Sequence, residues 1–104
     1  MELDAARMLL GNRWAAMATL GSDGPSASMV AYATETDLTS LLLFLSGLSE
    51  HTRNLLAEPR LSLVISEADP GHDDPQTLAR VSIKGTAAKL ERTDAEFEAA
   101  WRTY

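Results

Sequence analysis

The sequence predicts a mainly β protein: a small, partly open antiparallel barrel (β-barrel) with helices at its flanks. Three observations carry this reading. Short apolar segments with strand character recur between clusters of turn residues. One helical pattern is inserted among them, over 49–58, and others lie at the two ends. With 104 residues and a hydrophobic fraction of 45%, the chain suits a single domain over 1–104 built on one core.

The elements follow in order. Leu3, Ala6, Leu9 and Leu10 recur at helical spacing, and Gly11-Asn12 is a plausible stop for that helix. Trp14-Ala-Ala-Met-Ala-Thr-Leu20 predicts a first strand, and Gly21-Ser22-Asp23-Gly24-Pro25 reads as a hairpin turn and not as a phosphate loop. A second strand is expected over 26–34, a polar turn over 35–40 and a third strand over 41–46. That third strand is apolar on both faces, which predicts a central position. Ser49 suits an N-cap and Glu50 the first turn of a helix stopped by Pro59, with Leu55 and Leu56 facing the core. A fourth strand is expected over 60–66, an acidic irregular loop over 67–76, and a fifth strand over 77–90, where Gly85 marks a bulge or a close backbone approach. A last helix is expected from Thr93 or Asp94 to Trp101, with Phe97 and Trp101 one turn apart.

Composition excludes several classes. The absence of cysteine removes disulfides, thiolate catalysis and cysteine-ligated metal. A net charge of −6 argues against a nucleic-acid partner, which calls for a basic face; the local basic group is His51, Arg53 and Arg60. No apolar run approaches the roughly 20 residues of a membrane helix. The acidic start, Met1-Glu2-Leu3-Asp4, argues against a secretory signal and for the cytoplasm.

The segment suited to chemistry is the passage from Ser46 into the 49–58 helix. The first N–H groups of a helix lack internal partners and carry the positive end of its dipole. The hydroxyls of Ser49 and Thr52 and the guanidinium of Arg53 add donors that match a phosphate monoester. An ordinary capped surface helix has the same local pattern. His51 suits phosphate binding, acid chemistry or iron ligation. His72, beside Asp69, Asp73 and Asp74, matches no known metal loop and reads as part of a solvated loop, so no metal site is expected. Trp14 and Trp101 read as core or dimer contacts, and Tyr32 faces either a ligand or the core. Asp94, Glu96 and Glu98 read as a solvated helix face. No nucleophile, general base or metal triad stands out, and the catalytic residues are not legible.

Trp14–Leu20, Ala27-Ser-Met-Val-Ala-Tyr-Ala33, Phe44-Leu-Ser-Gly-Leu-Ser-Glu-His-Thr-Arg-Asn-Leu55 and Glu58-Pro-Arg-Leu-Ser-Leu63 resemble the FMN-binding split-barrel proteins related to pyridoxamine 5′-phosphate oxidase. Pro75-Gln-Thr-Leu-Ala-Arg80 and Val81-Ser-Ile-Lys-Gly85 resemble the branch that includes haem-utilisation proteins. The resemblance implies an antiparallel, Greek-key-like split barrel that binds FMN at a homodimer interface, and a flavin-dependent oxidoreductase of unknown small-molecule substrate. It places Ser28, Met29, Val30, Ala31 and Tyr32 along the flavin ring, with Ser46, Ser49, His51, Thr52, Arg53 and Asn54 around the phosphate. Gln76 and Arg80 would come from the second subunit. It also implies two alternatives: haem as the cofactor on the same barrel, or a non-catalytic flavin-binding module. The oxidase proper has an Arg opening and a Lys closing the second-strand motif, where this chain has Ser28 and Ala33. Its basic and aromatic C-terminal segment, and the further strand and second domain of the haem-handling proteins, have no counterpart before Tyr104. A shortened chain or a minimal barrel is expected, and vitamin B6 oxidation is not.

Overall fold

A computed structural model describes residues 3–35, 38, 40–91 and 102. Along the chain run helix α1 (Leu3–Leu10), strands β1 (Trp14–Gly21), β2 (Gly24–Ala31), β3 (Ala33–Thr34) and β4 (Leu41–Leu42), helix α2 (Glu50–Ala57), strand β5 (Arg60–Ser66), a 3-10 turn at Pro75–Thr77 and strand β6 (Arg80–Thr86). The main sheet has the order β2-β1-β5-β6, antiparallel throughout, and β3 and β4 form a separate two-stranded ribbon. This is the mainly antiparallel architecture, split between two sheets and flanked by helices, that the sequence predicts.

β1 lies between β2 and β5, paired on both sides. Its alternation buries Ala15, Met17 and Thr19 on one side and turns Trp14, Ala18 and Leu20 outward. Met17 stands opposite Ser28 of β2 and Leu63 of β5 and is fully buried. Leu9, Ala15, Met17, Val30, Tyr32, Leu63 and Ile65 form the core, with Leu43, Leu45, Leu55, Val81 and Ile83 packed against it. The turn between β1 and β2 pairs Gly21 with Gly24, whose φ of +117° suits a residue without a Cβ.

Several expectations are corrected. The apolar run 41–46 is not a central strand: only Leu41 and Leu42 pair, and only with β3. Leu43 and Leu45 pack on the core while Phe44 is exposed, so the apolar alternation continues beyond the two residues of the described strand. The 26–34 strand is interrupted at Tyr32, whose N–H donates to Arg13 O and whose ring turns into the core. Leu10 and Leu56 are exposed, although both were expected on apolar faces. The last described strand is seven residues long, since Pro75–Thr77 forms a 3-10 turn capped by Asp74. Gly85 pairs in regular register with Leu61, without a bulge, and the space a Cβ would occupy there is open among the described residues. The expected final helix, with Phe97, Trp101 and the acidic residues 94, 96 and 98, lies outside the described residues. No described helix is long and apolar enough to cross a membrane.

Candidate functional site

The passage from Ser46 into α2 is held by its own hydroxyls. Ser49 Oγ donates to Ser46 O at 2.8 Å, and Thr52 Oγ1 donates to the same carbonyl at 2.6 Å. The two hydroxyl oxygens are 3.0 Å apart. Each hydroxyl has one hydrogen, so either can turn toward an incoming anion while the other keeps the loop closed. The Leu48 N–H donates to Ser46 Oγ at 3.2 Å, and Arg53 Nη1 donates to Leu48 O at 2.6 Å. Ser49 occupies the N-cap position in extended conformation, but its side chain caps no backbone N–H. That corrects the expected cap. The hydroxyl is turned to the Ser46 carbonyl, and the first N–H groups of α2 point out of the helix start, where its dipole is positive.

His51, in the first turn, reaches across to β2, where its Nδ1 lies 2.9 Å from Ser28 Oγ. This pairing leaves Nε2 to whatever occupies the space beside it. That space is a shallow groove of about 210 Å³ lined by Met29, Val30, Ala31, Phe44, Leu45, Ser46, Ser49 and His51. One wall is β2, which stands at the edge of the main sheet among the described residues. Edge strands offer backbone donors and acceptors, so the groove combines an apolar lining with backbone polar groups along one wall. At its end stand the hydroxyls and the start of α2. A flat ring carrying an anionic tail matches this arrangement.

Ser28, Met29, Ser46, Ser49, His51, Thr52 and Arg53 are thus gathered around one groove and its end. The other site residues are placed elsewhere. Asn54 turns away from the loop and is buried against β1, where its Nδ2 donates to Thr19 Oγ1 at 3.1 Å. Helical geometry explains this: three residues after His51, it sits on the sheet-facing side. The Val30 side chain is in the core, leaving only its backbone toward the groove. Tyr32 is likewise buried, and its hydroxyl donates to Leu9 O at 2.7 Å; burial raises its pKa above the ordinary phenol value. Gln76 and Arg80 lie together, with Arg80 Nη1 3.4 Å from Gln76 O, and are not among the residues that line the groove.

Arg60 does not join His51 and Arg53. It sits beyond the opposite end of α2 and holds Glu58 through two side-chain bonds of 2.9 and 2.7 Å, which lower the Glu58 pKa below the ordinary carboxylate value. His72 faces Asp73 at 3.5 Å on the exposed loop, and no cluster of three potential ligands forms among the described residues.

Sequence reasoning missed Phe44 and Leu45 as lining residues, because both were assigned to a central strand. It also missed a second feature. Cross-strand partners share a face, so Trp14, Ala16, Ala18 and Leu20 lie with Pro25, Ala27, Met29 and Ala31 of β2 and Val64 of β5 on the outer face of the sheet. Trp14 is 58% and Met29 47% exposed. The signal was present: Trp-Ala-Ala-Met-Ala-Thr-Leu has apolar residues at both parities, so one set had to face outward.

Residues 3–104 match the family model of pyridoxamine 5′-phosphate oxidase. The chain belongs to that family. A haem oxygenase of the chloroplast of Arabidopsis thaliana, HOZ, is 39% identical over 70 residues, 67% of this chain and 20% of that protein. A haem-binding protein from Mycobacterium smegmatis is 34% identical with a TM-score of 0.77, over 95% of this chain and 40% of that one. A FAD-binding protein from Mesorhizobium loti has a TM-score of 0.78 at 19% identity, over 96% of this chain and 69% of that one, and shows the shared fold. Two relatives above 30% identity are thus named for haem, and a protein that shares the fold is named for FAD.

Proposed function

We propose that the chain binds FMN in the groove between β2 and the Phe44–Ser46 segment, as one protomer of a homodimeric, flavin-dependent oxidoreductase. The observation that carries this reading is the end of the groove. An apolar slot beside the edge strand β2 runs into a helix start that carries Ser49, Thr52 and Arg53. The slot suits a flavin ring, with β2 backbone groups facing its polar edge, and the helix start suits a phosphate monoester. When bound, flavin supplies the electron transfer; Ser28 and His51 fix one wall, and Arg53 supplies the charge for the phosphate. A Thr52→Ala, Arg53→Ala double variant is expected to weaken FMN binding by about 10- to 100-fold, the loss of a charge-assisted contact and a hydroxyl, as read by quenching of flavin fluorescence. Unchanged affinity would place the cofactor elsewhere.

The second copy is proposed on the outer face of the sheet. Met29 belongs both to that face and to the groove, so a partner laid there covers the groove's open side. Arg80 lies on the same face at the opposite edge, in register with Ser66. A two-fold axis along the strands sets β6 of one copy over β2 of the other, which brings Arg80 of the partner, with Gln76 beside it, to the Ala31 end of the groove.

The second reading is haem in the same groove. It is favoured by two relatives above 30% identity that are named for haem, and by His51, which lines the groove and whose Nδ1 is held by Ser28 so that Nε2 is the nitrogen left for a ligand. An imidazole oriented in this way is suited to ligate a metal. Titration with haem separates the two readings: a Soret shift that disappears in His51→Ala supports haem, whereas flavin bands that stay with the protein through gel filtration support FMN.

A further inference from the structure

Asn54 is polar, 9% exposed and outside the groove, yet it is bonded to the sheet. Its partner Thr19 is also buried, at 3%. Gly21 lies two residues further along β1 on the same face, and a Cβ there would stand 3.1 Å from Asn54 Oδ1 and 3.2 Å from Nδ2. The amide therefore packs tightly over Gly21, closer than a Cβ would meet without a small shift. Three residues earlier on α2, His51 contacts Ser28 of β2. The same helix face is thus pinned at two points to two paired strands, on the side that also buries Met17.

Apolar contact is non-directional, so Leu55 packed against the core holds α2 near the sheet without fixing its rotation. Hydrogen bonds are directional, and two of them about one turn apart fix both roll and axial position. We propose that Asn54 is a positioning residue: its bond to Thr19 sets the roll of α2 and so aims Thr52, Arg53 and the first N–H groups at the end of the groove. This rests on reading that end as the phosphate site. It also gives Gly21 a role beyond the turn, because a Cβ there crowds the amide.

The test uses Thr19→Val, which keeps shape and removes the acceptor, and Thr19→Ser, which restores it. With FMN as the probe, Thr19→Val is expected to raise Kd about tenfold, in keeping with one lost hydrogen bond, and Thr19→Ser to restore it. Hydrogen exchange gives a readout independent of any cofactor. The Arg53 and Glu58 amides, bonded to Ser49 O and Asn54 O, are expected to exchange about tenfold faster in Thr19→Val, with β1 and β5 amides unchanged. Leu55→Ala serves as the comparison, since it loosens the same helix without touching the bond; it is expected to lower Tm and leave Kd unchanged. Unaltered α2 exchange in Thr19→Val overturns the proposal, as does an equal loss of affinity in Leu55→Ala. A wild-type protein that takes up no FMN removes the cofactor reading alone, and the exchange measurement still decides the role of Asn54.

Discussion

Tyr32 shows how one buried hydroxyl ties the N-terminal helix to the barrel. Its ring is in the core and its hydroxyl donates to Leu9 O at the end of α1. Burial disfavours the phenolate, so the folded-state pKa lies above the unfolded value of about 10. The folded state therefore holds this proton more tightly than the unfolded chain does. The stabilisation is fully present below pH 10 and is lost as pH rises through the folded-state value. Tyr32→Phe removes both the bond and the titration. It is expected to be less stable than wild type by about 1 kcal/mol at neutral pH, with the gap closing above pH 10 in urea titrations. A gap that does not change with pH would mean that the phenol ionises alike in the folded and unfolded chain, because water reaches it in both.

At the scale of elements, stability is concentrated in β1. Met17, between Ser28 and Leu63, is fully buried, and Met17→Ala is expected to cost about 2–5 kcal/mol in denaturant unfolding. Leu42→Ala, in the half-buried two-residue strand β4, is expected to cost about 1 kcal/mol, because little surface leaves water there. Similar losses at both positions would mean that the ribbon is as integral as the main sheet. The contrast also explains what could be read from the sequence. β1, α2 and β5 were legible because local pattern and tertiary position agree: alternation in β1, Pro59 after the helix, a clean apolar set in β5. The 41–46 run was misplaced because two-sided hydrophobicity describes burial, not position in a sheet: Leu41 and Leu42 pair in the small ribbon, and Leu43 and Leu45 pack on the core from outside the main sheet. The phosphate-suited loop was legible because hydroxyls and Arg at a helix start act locally. Asn54 was not, because its partner is 35 residues away, and only the helix's roll against β1 decides which way it points.

At the scale of the whole molecule, the outer face of the main sheet is the largest departure from a self-contained fold. Trp14, Leu20, Met29 and Val64 are exposed there among alanines that keep the surface flat. Contiguous exposed apolar surface of this kind marks an interface in a soluble protein. The alanines admit close sheet-to-sheet approach, and the basic side chains of Arg60, Arg80 and Lys84 rim one side. Ala18 lies near the middle of that face on the central strand, so Ala18→Glu would bury a carboxylate between two copies while leaving the core untouched. Sedimentation is expected to show the wild type as a dimer and Ala18→Glu as a monomer with the same circular dichroism. His72→Glu, on the exposed 67–76 loop, is expected to remain dimeric. If the partner covers the groove beside Met29, the monomer should also bind FMN at least tenfold more weakly, since one wall and the partner's Arg80 are lost together. A monomer that keeps full affinity would separate the two roles of this face: the groove would then be complete within one chain, and the outer face would serve assembly alone.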